Sequence, residues 1–454
     1  MENTIFELIE LKQYSQIKKI LSEMNPADIA QILDEVPTKE QLPVIYRILP
    51  KELAADIFVE MESDKQQLLI EAFTDSEIRE VLDELFMDDA ADLIDEMPAT
   101  VAKRILKQAD SATRKTINQL LAYPEDSAGS IMTTEYIDLK RDMTVSEAFT
   151  RIRKIGLESE TIYTAYVTDR FRKLKGVVSV KDLLLNDTTA IIGDIMDENI
   201  ILANTHDDKE EVALQFEKYD LMALPVVDKE NRLVGIITVD DAIDVIQEEA
   251  TEDIERMAAI LPTEKPYFKT SVFETFKSRI PWLMLLMISA TFTGAIISSF
   301  EDKLTVLPAL IAFIPMLMDT AGNSGSQSSV TIIRGISLGD IEFGDIFRVI
   351  WKEIRVALLC SIALAAVNFA KLFLIDNLLF DSFDDGKVLL EIIVVCVTQI
   401  LTVIVAKLVG CVLPMFAKKI GFDPAVMASP FITTIVDAIA LAIYFAFAII
   451  LLGI

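Results

Sequence analysis

Five apolar runs crowd the C-terminal part of the chain, at about 280–300, 304–318, 354–379, 388–416 and 425–452. About twenty apolar residues in a helix cross the roughly 30 Å hydrocarbon core of a bilayer. Residues 280–454 are therefore expected to form a transmembrane domain with five spans. The charge divides near the same place. Residues 1–265 hold 56 acids and 29 bases, a net of −27, whereas residues 266–454 hold 15 and 13, a net of −2. An acidic soluble assembly thus precedes a membrane domain.

Lys and Arg near the span ends set orientation. Lys277 and Arg279 precede the first span. Arg334, Arg348, Lys352 and Arg355 lie between the second and third, and Lys418 and Lys419 between the fourth and fifth. The opposite loops hold Lys303 and Lys387 among Glu301, Asp302, Asp381, Asp384 and Asp385. This predicts a multi-pass protein of the plasma (inner) membrane, with its N-terminus in the cytoplasm and its C-terminus outside. The opening MENTIFELIE has no basic n-region or cleavage site, in keeping with a cytosolic start.

So acidic a soluble part argues against nucleic acid, which needs clustered Lys and Arg. Oxygen-rich sites suit hard cations such as Mg2+ or Ca2+. One histidine, His206, and three cysteines in apolar segments, Cys360, Cys396 and Cys411, argue against a soft-metal site or a disulfide framework. No nucleophile–base set or phosphate loop stands out, so an enzyme is not expected.

Residues 1–129 read as an all-α N-terminal domain. NPADIAQILDEV (25–36), LPKELAADIFVEM (49–61) and TDSEIREVLDEL (74–85) resemble one another and start 24 and 25 residues apart. Such units cannot bury their apolar stripes alone, and stacking them gives a small superhelix. Residues 130–253 change texture. LKGVVSVKDLL (174–184) recurs as LVGIITVDDAI (233–243), and Ile131-Met132 recurs as Ile195-Met196. These β-rich repeats resemble a pair of CBS modules, an α/β domain split at about 130–190 and 191–253. Over 248–279 an acidic helix beginning EEATEDIERMAAI is interrupted by Pro262 and Pro266, and a second amphipathic helix leads into the membrane; the connecting helix is placed at 254–279. The fold class is multidomain: helical superhelix, CBS pair, connecting helix and five-helix bundle.

Two features inside the membrane part stand out. Asp437 falls mid-span in SPFITTIVDAIALAIYF. A carboxylate at the bilayer centre costs about 2.5–3.5 kcal/mol on insertion scales. At about 100° per residue, Ser429, Thr433, Asp437, Ala440 and Tyr444 share an arc of about 80°. That stripe is expected to line a protein-enclosed path. The second feature is PMLMDTAGNSGSQSSVTIIRG (315–335). Gly322, Asn323, Ser324, Gly325, Ser326 and Gln327 are poor helix formers, so a broken helix is expected, with its freed carbonyls turned toward a cation. The plain alternatives are Asp437 buried against Lys407 or a hydroxyl, and Asn323 and Gln327 in interhelical hydrogen bonds.

AGNSGSQ, the DPAVMASPFITTIVDAIALAIYF stretch (423–445), EEATEDI and the order of parts together resemble the MgtE family of magnesium channels. The resemblance implies a homodimeric Mg2+-selective channel in a lipid bilayer, with its pore on the dimer axis. It places the pore acid on Asp437, with Thr433, Ser429, Gly322, Asn323, Gly325 and Gln327 completing the ion path. A hydrated Mg2+, which gives up water reluctantly, would be held through its waters. The chain departs from the family pattern at Ala321-Gly322, where two glycines are usual, and at Ala438-Ile439-Ala440, where a glycine often closes the segment.

The resemblance also implies a cytosolic Mg2+ sensor, carried onto Asp88, Asp92, Asp208, Glu210, Asp241, Asp244, Glu249, Glu252 and Asp253. Low Mg2+ would leave these acids repelling one another and the pore open. High Mg2+ would bridge them and close it. The plain alternative for each acidic cluster is a solvated surface. For an adenine nucleotide, the implied cleft lies near Thr164, Lys181, Asp182 and Leu221. Thr164 and Leu221 offer no aromatic face to adenine, so ATP is not favoured. The competing function is a divalent-cation carrier coupled to Na+ or H+. A third is a membrane-anchored sensor that passes no ion.

Overall fold

The structure is a computed structural model describing residues 2–36, 40–263, 267–268, 270–300, 308–377, 388–427 and 429–452. It divides into two compact units, Met1–Ile246 and Gln247–Ile454.

The first unit begins with short helices whose starts are written into the chain. Asn25 accepts a hydrogen bond from the Ala27 N–H and caps Pro26–Asp34. Thr74 and Glu77 form a reciprocal capping box at the head of Asp75–Leu82. Alternate helices pack on one another, as Pro26–Asp34 does on Lys51–Val59 and Met87–Glu96 on Ser111–Leu120. Each buries an apolar stripe in a core running from Ile5 to Leu120 and continuing into Val212, Phe216, Leu224 and Val245. The expected stacked helical array is present.

Two three-stranded sheets follow. Strands β1 (Asp138–Lys140), β2 (Thr164–Thr168) and β3 (Leu174–Ser179) form the first. Strands β4 (Ala203–Asn204), β5 (Ala223–Val227) and β6 (Leu233–Thr238) form the second. In both sheets the first pair is parallel and the second antiparallel. Thr164 pairs with Ser179 as Ala223 pairs with Thr238, and each hairpin has one register shift at the matching place. The internal repeat is thus a repeat of register as well as of letters. The two modules also exchange their leading segments. Thr133, ahead of the first sheet, bridges to Ile236 of β6, and Asp197, ahead of the second, bridges to Val177 of β3. Gly176 and Gly235 make room for this: a Cβ there would meet the sulfur of Met196 at 2.6 Å or of Met132 at 2.7 Å.

A single helix, Val239–Met257, leaves β6 and runs without a break through residue 253, where composition suggested a boundary.

In the second unit Val272–Ser299 starts at a Ser271–Glu274 capping box and passes Pro281 without ending. Pro308–Ile311, Ile314–Ser337, Ile346–Lys371, Val388–Lys419 and Ser429–Leu452 complete its main helices. Among the described residues, four helical stretches are long and apolar enough to cross a membrane: Val272–Ser299, Phe343–Ile375, Val388–Lys419 and Pro424–Leu451. The span expected at 304–318 is different. Residues 304–307 lie outside the described residues, and the main helix there is displaced to Ile314–Ser337. Its Gly and Ser content hid it from a search for apolar runs. The loop acids and lysines at 301–303 and 381–387 lie outside the described residues.

Candidate cation sites

The first site is a cleft of carboxylates in the first unit. Met87–Glu96 presents Asp88 and Asp89 in its first turn and Asp92 one turn on. Asp88 is 8% exposed and accepts a hydrogen bond from the Asp89 N–H at 2.9 Å. Asp240 and Asp241 stand at the head of Val239–Met257, and Glu135 and Glu160 come from loops of the first module.

The charges of these groups act on one another. Burial holds the Asp88 carboxyl well above the ordinary carboxylate range, and Asp89, Asp241 and Glu160 add to it. Asp89 is pushed up to about 7 by burial, then by Asp241, Asp240, Glu135 and Glu60. Glu160 reaches about 8 by burial, then by Asp89, Asp241, Asp240 and Glu135. Burial takes Asp241 to about 6, although Thr238 Oγ1 donates to it at 2.6 Å. Asp92 also reaches about 7, by burial, then Asp89, Glu96 and Asp241. Its side chain opens to water at the rim, which screens part of that effect. Asp88, Asp89 and Glu160 are among the more enclosed members of the cluster. Asp244 is raised by burial and Asp240.

Asp88, Asp92 and Asp241 were expected at a sensor, and the fold brings them together. Asp89, Glu160, Glu135, Asp240 and Glu60 were missed. Asp89 stood in the same quoted run; Glu160 and Glu135 carried no spacing signal, because loops deliver them. Among the described residues no three acid side chains are already turned onto one point that could hold an ion.

The remaining expected residues lie elsewhere. Asp208 caps Lys209–Tyr219, accepting from the Glu210 and Glu211 N–H groups at 3.0 and 3.2 Å, and Glu210 lies in that helix's first turn. Glu249, Glu252 and Asp253 belong to the second unit. There Glu252 pairs with Arg256, which also pairs with Asp423. Asp253 accepts from Ser337 Oγ at 2.9 Å, and burial raises its pKa. Thr164 opens β2, Lys181 is exposed in the helix Val180–Leu185, and the Asp182 carboxylate is engaged by Ser179 Oγ at 2.5 Å. Leu221 packs against the large core.

The second site lies among the membrane helices. The expected broken helix is not found: Ile314–Ser337 is continuous through Gly322, Asn323, Gly325 and Gln327. Packing overrides propensity here, because small residues let backbones approach closely. A Cβ on Gly410 would come within 2.2 Å of the Gly325 carbonyl oxygen, and one on Gly325 within 2.9 Å of Ile432. The carbonyls of the supposed Gly322–Gly325 turn are thus enclosed in a helix and not freed for an ion.

What this helix offers is a side-chain stripe. Asp319, Asn323, Gln327 and Thr331, four residues apart, are exposed, while Ala321, Gly325, Ser328 and Ile332 are buried on another face. Neither Asn323 nor Gln327 makes a side-chain hydrogen bond to another helix among the described residues.

Asp437 is half-buried on Ser429–Leu452, beside Gly322, and feels the charge of Asp319. It makes no hydrogen bond or ion pair among the described residues. Lys407 does not neutralise it; that ammonium donates to Ser328 Oγ at 3.3 Å. Thr433 gives its hydroxyl to the Pro430 carbonyl at 2.9 Å. The Ser429 side chain lies outside what is described. Ala440 and Tyr444, expected on the same path, are buried instead, with Tyr444 Oη donating to the Leu310 carbonyl at 2.8 Å. The polar stripe of this helix therefore closes beyond Asp437, where the helices converge and the tyrosine finds a partner.

An acidic unit with two CBS-like modules, joined to a bundle of long apolar helices that carries carboxylates, fits a membrane transporter of cations. The comparisons narrow the class. Residues 314–447 match the MgtE model, described as a divalent cation transporter. Residues 24–126 match the MgtE intracellular N domain, and 128–187 and 192–248 match the CBS domain. The chain is 35% identical to the magnesium transporter MgtE of Thermus thermophilus, over 96% of this chain and 95% of that one. It is 32% identical to the Bacillus subtilis magnesium transporter MgtE, over 95% and 93%. A crystal structure of the cytosolic domain of the Mg2+ channel MgtE in complex with ATP superposes with a TM-score of 0.52 at 34% identity, covering 54% of this chain and all of that one. The chain belongs to the MgtE family, a family of transporters and not of enzymes.

Proposed function

We propose that the protein is a Mg2+-selective channel for magnesium uptake. Two copies enclose the pore on their common axis, and cytosolic Mg2+ closes it. The observation that carries this reading is Asp437: a carboxylate midway along a membrane helix, half-buried, beside the charge of Asp319 and without a protein partner among the described residues. A divalent cation offsets both charges. Mg2+ keeps several of its waters, so oxygens set back from the ion serve it better than a closed cage.

The exposed stripe Asp319, Asn323, Gln327 and Thr331 supports the homodimer. Lipid does not readily accept an acid and two amides along a helix face, whereas a second copy across a wet path does. The carboxylate cleft of the first unit supports the sensor. Its acids need not converge on a point, because a hydrated ion can bridge them through water. The protein would sit in the plasma membrane with its acidic unit in the cytoplasm.

The test is Mg2+ influx into proteoliposomes by wild type and Asp437→Ala. Loss of influx with an unchanged oligomeric state is expected; wild-type influx in the variant would remove the reading. Flux following an imposed Na+ or pH gradient would point to the coupled carrier.

A further inference from the structure

The carboxylate of Glu353 and the ammonium of Lys407 are both nearly excluded from solvent inside the helical bundle, at 8% and 4% exposure. They are joined by a serine. Ser328 Oγ donates to Glu353 Oε2 at 2.6 Å, and Lys407 Nζ donates to Ser328 Oγ at 3.3 Å. A hydroxyl can accept and donate at once, so it relays the attraction between two buried charges. The three side chains come from three helices: Ile314–Ser337, Ile346–Lys371 and Val388–Lys419.

We propose that Glu353, Ser328 and Lys407 form a clamp that fixes the rotation of Ile314–Ser337 about its own axis, and so sets where Asp319, Asn323 and Gln327 point. Ser328 shares the buried face with Ala321, Gly325 and Ile332. Asn323 lies about 140° around the helix from it. Between Ala321 and Ser329 the buried residues are all Gly, Ala or Ser, a stretch smooth enough for a helix to turn on. The Gly325–Gly410 approach fixes how near the helices come; a directional polar link fixes their angle. Ser328 carries that link, since its hydroxyl is hydrogen-bonded to both charged groups. A buried charge stripped of its partner seeks another, and it can do so here by dragging or releasing the helix. The three are positioning residues, acting through the stripe and not on the ion.

This inference rests on the reading of the stripe as ion-facing, but its test does not require transport. Full-length protein in proteoliposomes, with Cys360, Cys396 and Cys411 replaced by alanine, receives either Asn323→Cys on the exposed stripe or Ser324→Cys on the buried flank. The rates of modification by a charged methanethiosulfonate are compared. Asn323→Cys is expected to react about tenfold faster. Lys407→Met or Glu353→Gln should shrink that ratio at least threefold, and the double variant Glu353→Gln/Lys407→Met, which removes both charges together, should restore most of it. Lys407→Arg should keep it. If Lys407→Met does not assemble, Glu353→Gln and the double variant decide. The same ratio in every background overturns the clamp, while loss of the channel reading would appear separately, as wild-type influx in Asp437→Ala.

Discussion

Gly322 stands against Thr433 so closely that a Cβ on the glycine would lie 3.0 Å from the threonine methyl and 3.9 Å from Asp437 Oδ1. The contact is side chain to side chain, so Thr433 can yield a little. Gly322→Ala is expected to fold and to lose several-fold in Mg2+ influx, because the displaced threonine and the new methyl crowd the carboxylate. Gly410→Ala is a different case, since its Cβ would strike the Gly325 carbonyl at 2.2 Å. Backbone has to move, and overpacking of this kind costs about 1–3 kcal/mol. Thermal melts in detergent should rank Gly410→Ala well below Gly322→Ala.

The carboxylate cleft is expected to make the first unit's stability fall as pH rises. A carboxyl raised to about 6, 7 or 8, as at Asp241, Asp89 and Glu160, keeps its proton in the folded state after the unfolded chain has lost it. Folding then takes up protons between about pH 4 and the raised values, so stability is fullest below that window and declines through it. Mg2+ should reverse the decline. Proteolysis of the full-length protein within residues 1–246 is expected to quicken from pH 5.5 to pH 8 without Mg2+. Millimolar Mg2+ should slow it far more at pH 8 than at pH 5.5.

Asp89→Asn removes one of the mutually repelling charges while keeping the shape of the side chain. Without Mg2+ the first unit should become more resistant to protease at pH 8, by about 1 kcal/mol in its opening equilibrium. The gain from added Mg2+ should shrink in the same variant. A variant no more resistant than wild type, with an unchanged Mg2+ response, would show that Asp89 lies outside the sensor.

Gly176 and Gly235 occupy matching places in the two modules and face matching methionines, Met196 and Met132. Thioether side chains are flexible, so Gly176→Ala, whose nearest backbone atom is the Asp197 carbonyl oxygen at 3.1 Å, should cost about 1–3 kcal/mol, whereas a Cβ on Gly235 also meets the Thr133 carbonyl oxygen at 2.6 Å, where backbone has to move. Gly235→Ala should therefore cost more than Gly176→Ala. Chemical denaturation of each variant checks this.

The β-rich repeats were legible because one hydrogen-bonding pattern was written twice, and Thr164–Ser179 and Ala223–Thr238 repeat the same register. Asp437 was legible because one acid in an apolar run needs a reason. Gly322–Gln327 misled for the opposite cause. Helix propensity describes an isolated chain, where glycine and serine break helices, but here they are the residues that let Gly325 meet Gly410. Glu160 and the Ser328–Glu353–Lys407 link were out of reach, because partners far apart in sequence share no period.

The exchanged leading segments carry a consequence of their own. Thr133 completes the edge of β6, and Asp197 completes the edge of β3, so each half borrows a piece that the other half's chain supplies. Cut the polypeptide at residue 190 and both fragments lose a seam. What the duplication left is a pair of modules in which each holds part of the other's strand edge.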